Sequence, residues 1–164
     1  MSEKELYRPI SEWLQGFLKG RYRRHKIIVE DTHRRKLSEF IFSKNIHRYF
    51  PNYSLFDIKV DITGVILGED SAQLVFIECK IKPIRLLDVG QLLGYSLVAK
   101  PAYSFLISPG GLSAPLFSLL KNYGRYDILE YATSGPSKKK LIICTWDSAR
   151  RDIQWRDALP PGVL

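Results

Sequence analysis

Two apolar stretches joined by a short turn constrain the fold of this chain more than any other feature of its sequence. The first stretch, FDIKVDITGVIL (residues 56–67), alternates between apolar and polar residues, which is typical of a strand with one buried face. The second stretch, QLVFIECKIK (residues 73–82), contains the apolar run of a buried strand. Because GEDS (residues 68–71) supplies a turn between them, the sequence predicts an antiparallel β-hairpin.

The predicted hairpin brings acidic side chains together. Side chains two residues apart on a strand point to the same face, so Glu78 shares a face with Lys80. Asp61 points away from the apolar face of its own strand, and strand pairing can place it beside Glu78. Two carboxylates at one position repel each other unless a cation lies between them, and Mg²⁺ prefers oxygen ligands of this kind. The sequence therefore predicts a Mg²⁺ or Mn²⁺ site at Asp61 and Glu78, with Lys80 facing a phosphate. The alternative is a strand face that carries ordinary surface ion pairs.

Hydrophobic periodicity predicts a mixed α and β order for the rest of the chain. The predicted helices are residues 3–19, 34–50, 83–100 and 113–124, and the further predicted strands are residues 25–30, 103–108, 126–131 and 141–146. Pro9 predicts a kink or a separate first turn in the first helix, because proline donates no backbone hydrogen bond. No repeat or linker divides the chain, so residues 1–164 are predicted to form a single domain.

The first helix carries a candidate third acid. Glu3 lies seven residues before Ile10, on the apolar stripe of the helix, and a buried acid needs a partner such as a metal site. Glu5 is rotated away from that stripe and suits a capping box with Ser2. Glu30 remains an alternative to Glu3 for the same role.

The composition favours a polyanionic partner. The chain has 25 Lys and Arg against 17 Asp and Glu, which gives a net charge of +8, although a charged surface also serves solubility alone. The predicted phosphate contacts are the basic residues Arg21, Arg23, Arg24, Arg34, Arg35, Lys36, Lys138 and Lys139. The last two belong to ATSGPSKKK (residues 132–140), which is predicted to be a loop that flanks the nucleic acid or stays solvated.

The cysteine content and the hydropathy pattern exclude several other classes of protein. Cys79 and Cys144 have no CxxC spacing and lie in apolar stretches, so they predict buried thiols and no zinc or iron–sulfur site. No segment approaches the ~20 apolar residues that span a bilayer, and the first ten residues do not resemble a signal peptide. The sequence therefore predicts a cytoplasmic protein with no membrane partner.

The ordered set of Glu3, DITG from Asp61, ECK from Glu78, and QLLGY from Gln91 resembles the PD-(D/E)xK nuclease superfamily, and the Gln91-x-x-x-Tyr95 element resembles its RecB-type branch. The resemblance covers roughly residues 3–107. It implies an α/β fold with a restriction-endonuclease-like αβββαβ core, in which helices flank a mixed central sheet. Residues 31–55 would then be a helical insertion, and the C-terminal αβ elements would be additions.

The resemblance also implies residue roles. Asp61, Glu78 and the backbone carbonyl of Cys79 would bind the metal, and Lys80 would activate or orient the water. Glu3 would bind the metal through water, while Gln91 and Tyr95 would hold the site and the DNA backbone.

The resulting expectation is a Mg²⁺- or Mn²⁺-dependent nuclease that hydrolyses phosphodiester bonds of DNA. The chain would act alone, as a homodimer, or within a larger DNA-processing complex. The alternative is a catalytically inactive nucleic-acid-binding or scaffold protein on the same fold.

Overall fold

The computed structural model describes residues 1–134 and 136–164. Its helices are α1 (Glu3–Arg21), α2 (Leu37–Ser43), α3 (Leu86–Ala99) and α4 (Ala114–Phe117). Its strands are β1 (Lys26–Asp31), β2 (Ile62–Leu67), β3 (Ala72–Cys79), β4 (Tyr103–Ser108), β5 (Glu130–Ser134), β6 (Ser137–Lys140), β7 (Ile142–Asp147) and β8 (Asp152–Ile153).

Six strands form one mixed sheet in the order β1-β2-β3-β4-β7-β8. The pairs β1–β2, β2–β3 and β7–β8 are antiparallel, whereas β3–β4 and β4–β7 are parallel. The predicted hairpin at residues 56–82 is therefore present as β2 and β3, and the expected α/β fold with a mixed central sheet is confirmed. β5 and β6 form a separate two-stranded ribbon.

Helices cover both faces of the sheet. α1 lies on one face because its apolar stripe of Leu6, Ile10, Leu14 and Leu18 is buried against inward residues of the central strands. α2 and α3 contribute to the core on the opposite face. Residues 62–66 of β2 and 74–79 of β3 are buried throughout, as expected for strands covered on both sides.

The contact between α1 and β2 depends on Gly64. A Cβ atom at this position would lie 3.2 Å from the Val75 Cβ atom and 3.3 Å from the Leu14 Cδ2 atom. We expect Gly64→Ala to lower the free energy of unfolding by about 1–3 kcal/mol, because α1 must shift to make room. Gly16→Ala is the matched control in α1. A Cβ there meets nothing within 4 Å, so this change should stabilise the helix by about 0.5–1 kcal/mol. Urea denaturation of both variants measures the difference, and equal effects would contradict the packing.

The strand predicted at residues 56–67 begins later than expected, at Ile62. The preceding backbone carbonyls bond instead to the first turn of α2, since the Leu37 amide donates to Ile58 and the Ser38 amide to Phe56. The predicted alternation is nevertheless real. Phe56, Ile58 and Val60 are buried, while the intervening Asp57 and Lys59 are exposed.

The helix predicted at residues 34–50 is shorter than expected, because α2 spans only Leu37–Ser43. Asn45 has a φ of 58°, a left-handed conformation that ends a helix, and single 3₁₀ turns follow at His47–Tyr49 and Tyr53–Leu55. The first helix is longer than expected and its first turn is not separate, because Pro9 lies within the continuous α1.

The helix predicted at residues 113–124 is present over residues 114–122, as α4 followed without a break by a π-helical turn, Ser118–Asn122. Two further local predictions were wrong. The strand predicted at residues 126–131 is mostly a 3₁₀ turn, Tyr126–Leu129, and β5 begins only at Glu130. The loop predicted at residues 132–140 is largely the β5–β6 ribbon, although its Gly135 lies outside the described residues.

Candidate active site

Asp61, Glu78 and Lys80, the residues of the predicted metal site, lie where β3 ends and β2 begins. The register pairs Ile62 with Ile77, so the next residues outward, Asp61 and Glu78, stand opposite each other. The parallel strands β4 and β7 end at the same edge of the sheet, which is a common location for a site in an α/β protein. The antiparallel pairing of β2 with β3 thus places Asp61 and Glu78 directly opposite each other.

Two hydrogen bonds fix the Asp61 carboxylate. The Tyr7 hydroxyl donates to Oδ1 at 2.9 Å, and the Cys79 amide donates to Oδ2 at 2.8 Å. Burial raises the pKa of Asp61, and the two hydrogen bonds, together with the charge of Lys80, oppose that increase. The side chain is therefore held in one orientation while its charge remains poorly solvated.

The Glu78 carboxylate is the less satisfied of the two acids. Its Oε1 atom accepts a hydrogen bond from the Lys80 ammonium at 3.4 Å, but its buried Oε2 atom has no partner among the described residues. Burial, and next the charge of Asp61, raise the pKa of Glu78 to about 7. A buried anion that lacks a partner is costly, so this oxygen is available to a cation.

Lys80, which contacts Glu78, and Glu3 line an open groove of about 530 Å³, which neither Asp61 nor Glu78 itself lines. Burial lowers the pKa of Lys80, but the charges of Glu78, Glu3 and Asp61 outweigh this effect and raise the pKa above its usual value. Lys80 is therefore a positively charged residue in the lining of the groove. The other groove-lining residues are Ile81, Lys82, Pro83, Arg85, Asp88 and Ser113.

The two acids fit a divalent cation in part. Their carboxylates provide oxygen ligands, and the free Oε2 atom of Glu78 is an open position for one. Across residues 1–134 and 136–164, no group of three or more His, Cys, Asp or Glu side chains is arranged to hold a metal. Asp61 and Glu78 would hold an ion with backbone oxygen and water. Both cysteine side chains are buried free thiols, as the sequence predicts.

The structure distinguishes between the candidate third acids. Glu3 is half-buried at the groove and acts electrostatically on Lys80 and Cys79. Glu30 instead forms ion pairs with Arg35 and Lys44 on the far side of β1 from α1. Glu5 is exposed as expected, but it is not in a capping box, because the Ser2 hydroxyl donates to the Glu5 carboxylate and accepts no hydrogen bond from a backbone amide of the helix.

For a metal-dependent nuclease at this site, we expect Glu3→Gln to reduce cleavage by at least about tenfold, since it removes the negative charge that would hold a metal-bound water. Glu30→Gln should leave the rate within about twofold, because Glu30 is already neutralised by two cations. Single-turnover cleavage rates in Mg²⁺ provide the comparison. A larger loss for Glu30→Gln would exchange the two roles.

The sequence did not predict two neighbours of Asp61. Tyr7 lies on the same stripe of α1 as Glu3, one turn further along, and this spacing is a signal that could have indicated it. The His33 ring packs 5.0 Å from the Tyr7 ring, and its Nδ1 atom bonds to the Asp31 carboxylate. Nothing in the sequence shows that the segment after β1 folds back over the start of β2.

Among the described residues, no hydrogen bond or ion pair joins Gln91 or Tyr95 to Asp61, Glu78 or Lys80. Gln91 is exposed on α3, and Tyr95 is half-buried against the core on that face of the sheet. Within the described chain, α3 and the residue before it contribute only Asp88 and Arg85 to the groove. The role that the resemblance implies for Gln91 and Tyr95 remains a prediction.

The predicted basic contacts separate into two groups. Arg34, Arg35 and Lys36 follow β1 next to the start of β2, where the Thr32 amide bonds to the Asp61 carbonyl. Arg34 is exposed, whereas Arg35 pairs with Glu30 at 3.1 Å and Lys36 with Asp57 at 3.4 Å. This group therefore lies at the end of the sheet that carries Asp61.

The second group lies at the opposite end of the sheet. Arg21, Arg23 and Arg24 are exposed and precede Lys26, which pairs with Leu67, so they are about 17 Å along β2 from its first residue. Lys138 and Lys139 belong to β6, in the ribbon that contacts Pro101 at the remote end of β4. Lys138 also pairs with Glu130 at 3.3 Å.

Searches against protein-family models, curated proteins and solved structures gave no match for this chain. Over the described part of the chain, no helix is long and apolar enough to cross a bilayer.

Proposed function

We propose that this protein is a metal-dependent nuclease that hydrolyses phosphodiester bonds of DNA. The observation that carries the proposal is the buried Asp61–Glu78 pair, whose Glu78 Oε2 atom has no partner, beside a lysine that faces an open groove. A buried pair of acids destabilises a fold unless a cation offsets the repulsion between the two carboxylates. Cation binding is therefore the simplest role for this pair. The order of the elements, with α2 between the first two strands, supports a restriction-endonuclease-like αβββαβ core.

The chain's own residues divide the work in this proposal. Tyr7 and the Cys79 amide orient Asp61, so that Asp61 and Glu78 converge from two strands. Lys80 remains charged and offsets negative charge on the phosphate, while Glu3 closes the groove from α1. Mg²⁺ or Mn²⁺ held by Asp61, Glu78 and the Cys79 carbonyl would supply Lewis-acid stabilisation of the phosphate and activation of water.

Incubation with labelled linear, closed circular and single-stranded DNA tests the proposal directly. We expect cleavage in Mg²⁺ or Mn²⁺ and none in EDTA, and we expect Asp61→Asn to abolish it. The three substrates also distinguish cleavage at ends from cleavage at interior bonds. Binding without cleavage under all metal conditions would favour the second candidate, an inactive nucleic-acid-binding or scaffold protein, for which the net charge of +8 is the supporting observation.

A matched pair of arginines tests where the polymer binds. We expect Arg34→Ala to weaken DNA affinity and to lower the slope of log affinity against log salt by about 1, because one phosphate contact is lost. Arg23→Ala removes an equally exposed charge at the remote end of the sheet and should have a smaller effect on a short duplex. Fluorescence anisotropy with a ~10-base-pair duplex in Ca²⁺ measures both, and the reverse order would move the binding surface away from the groove.

A further inference from the structure

The outer face of α3 exposes two pairs of large apolar side chains. Leu86 and Leu87 are 55% and 73% exposed at its first turn, and Leu97 and Val98 are 51% and 54% exposed at its last turn. At 100° per residue all four lie within an arc of about 120°, so they form one face. Several exposed large apolar side chains on one helix face indicate a site of association.

The centre of this face is flat and uncharged. Gly90 and Gly94 lie between the two apolar pairs, and a Cβ built on either glycine meets nothing within 4 Å. Of the described residues of α3, the one acidic side chain, Asp88, lies at the groove beside Lys80 instead. A neutral surface is unusual on a chain with a net charge of +8, and a second copy could approach it without placing like charges in contact.

The spacing of the apolar pairs makes the face complementary to itself. Leu86 and Leu87 lie six and five residues before Leu92, and Leu97 and Val98 lie five and six residues after it. A two-fold axis at the level of Leu92 therefore places each apolar pair against the other pair of a second, antiparallel helix. Such reciprocal contact is the requirement of a symmetric dimer interface.

The neighbouring surface provides a recess for the partner. Leu86 and Leu87 line an open, mostly apolar cavity of about 580 Å³ together with Leu116 and Leu119, and Arg85 is the one charged side chain among the described residues of its lining. In the antiparallel arrangement the partner's last turn of α3 lies over this cavity, and the two glycines allow the helices to approach closely. Antiparallel helices also oppose their dipoles favourably.

We propose that the Leu86/Leu87–Leu97/Val98 face of α3 is a homodimer interface formed by antiparallel contact with a second copy of this chain. It does not depend on nuclease activity. A contact made by one helix face on each copy is small, so we expect a reversible dimer with a Kd on the order of 10 µM. Because the face is uncharged and the two copies repel elsewhere, the dimer should persist or strengthen in 1 M NaCl.

Sedimentation equilibrium between roughly 1 and 300 µM tests the proposal. Leu87→Glu should raise the Kd by about 30-fold or more, since it buries an unpaired charge in the contact. Leu55→Glu is the matched control, because Leu55 is equally exposed, at 77%, but lies far from α3 in the turn after α2, and it should dimerise like the parent. A monomer at all concentrations, or a dimer that Leu87→Glu leaves intact, would overturn the proposal.

Two further variants guard against a folding artefact and test the register. Gly94→Leu has room in the monomer and replaces glycine by a better helix former, so it should raise the melting temperature of the dilute protein while weakening the dimer. Leu87→Cys and Leu97→Cys chains, mixed and oxidised, should give a mixed disulfide, whereas neither chain alone should cross-link. Cross-linking of Leu87→Cys with itself would reject the antiparallel register, and a dimer in Gly94→Leu as tight as the parent would reject the face.

Discussion

Lys80→Ala is expected to abolish DNA cleavage while DNA binding in Ca²⁺ stays near that of the parent protein. The ammonium faces the groove beside Glu78 and contributes one positive charge of the 25 Lys and Arg, so its share of binding is small. Its share of the chemistry is large, because removal of a charge that stabilises the transition state commonly lowers the rate by about 10²–10³. Single-turnover cleavage and anisotropy on one substrate separate the two effects.

Lys82→Ala provides the matched control for this experiment. Lys82 lines the same groove two residues later, but it is exposed and has no contact with the acid pair. Its loss should reduce affinity slightly and leave the single-turnover rate within about threefold. If Lys80→Ala cleaves as fast as Lys82→Ala, Lys80 is a structural partner of Glu78 and the inactive binding protein becomes the better interpretation.

Glu78→Gln should have two effects of opposite sign. Cleavage should fall by at least about 10³, because a metal ligand is lost. Stability in EDTA should rise. The folded-state pKa of Glu78 is about 7 against 4.5 for the free side chain, so the folded protein binds the proton more tightly than the unfolded protein. The parent protein therefore loses stability as the pH rises from 4.5 through 7, by on the order of 2–3 kcal/mol, and the amide variant does not.

Urea denaturation at pH 5 and pH 8 measures this slope. Lys80, Glu3, Tyr7 and His33 lie near the Asp61–Glu78 pair and also affect its charge. The difference between the pH slopes of the variants is therefore more informative than the absolute slope of either protein. Mg²⁺ should reduce the slope of the parent because it binds the deprotonated acids. Glu39→Gln, which changes an exposed acid on α2, should leave the slope unaltered. Equal pH slopes for the parent and Glu78→Gln would show that Glu78 is not the group that binds the proton.

The sequence predicted the features that depend on local pattern. Alternation and a short turn gave the β2–β3 hairpin, and with it the opposition of Asp61 and Glu78. The predicted start of β2 was wrong because the carbonyls of Phe56 and Ile58 accept hydrogen bonds from the first turn of α2 and not from a neighbouring strand. Hydrophobic periodicity cannot show such a tertiary contact. The end of α2 at Ser43 was missed for a similar reason, since the apolar residues beyond it remain at helical spacing.

Tertiary placement explains what the sequence could not supply at the site. The β1–β2 register alone puts Arg23 at one end of the sheet and Arg34 at the other, although they are eleven residues apart in one basic region. The contact of Tyr7 with Asp61 likewise exists only because α1 docks across β2. Local composition gives the residue types available to a site, but docking decides which of them meet.

The hydrogen bond between Tyr7 and Asp61 joins residues 54 positions apart in the chain, and this separation links the geometry of the acid pair to the docking of the N-terminal segment. If α1 detaches in a sub-global opening event, Glu3 and Tyr7 leave together, and the Asp61 carboxylate loses one of the two hydrogen bonds that orient it. The affinity of the protein for Mg²⁺ should consequently depend on the fraction of molecules in which α1 is docked. Trp13, packed edge-on against Phe105 at 5.5 Å, is a natural fluorophore for the same event, so quenching and cation titration should follow a single equilibrium.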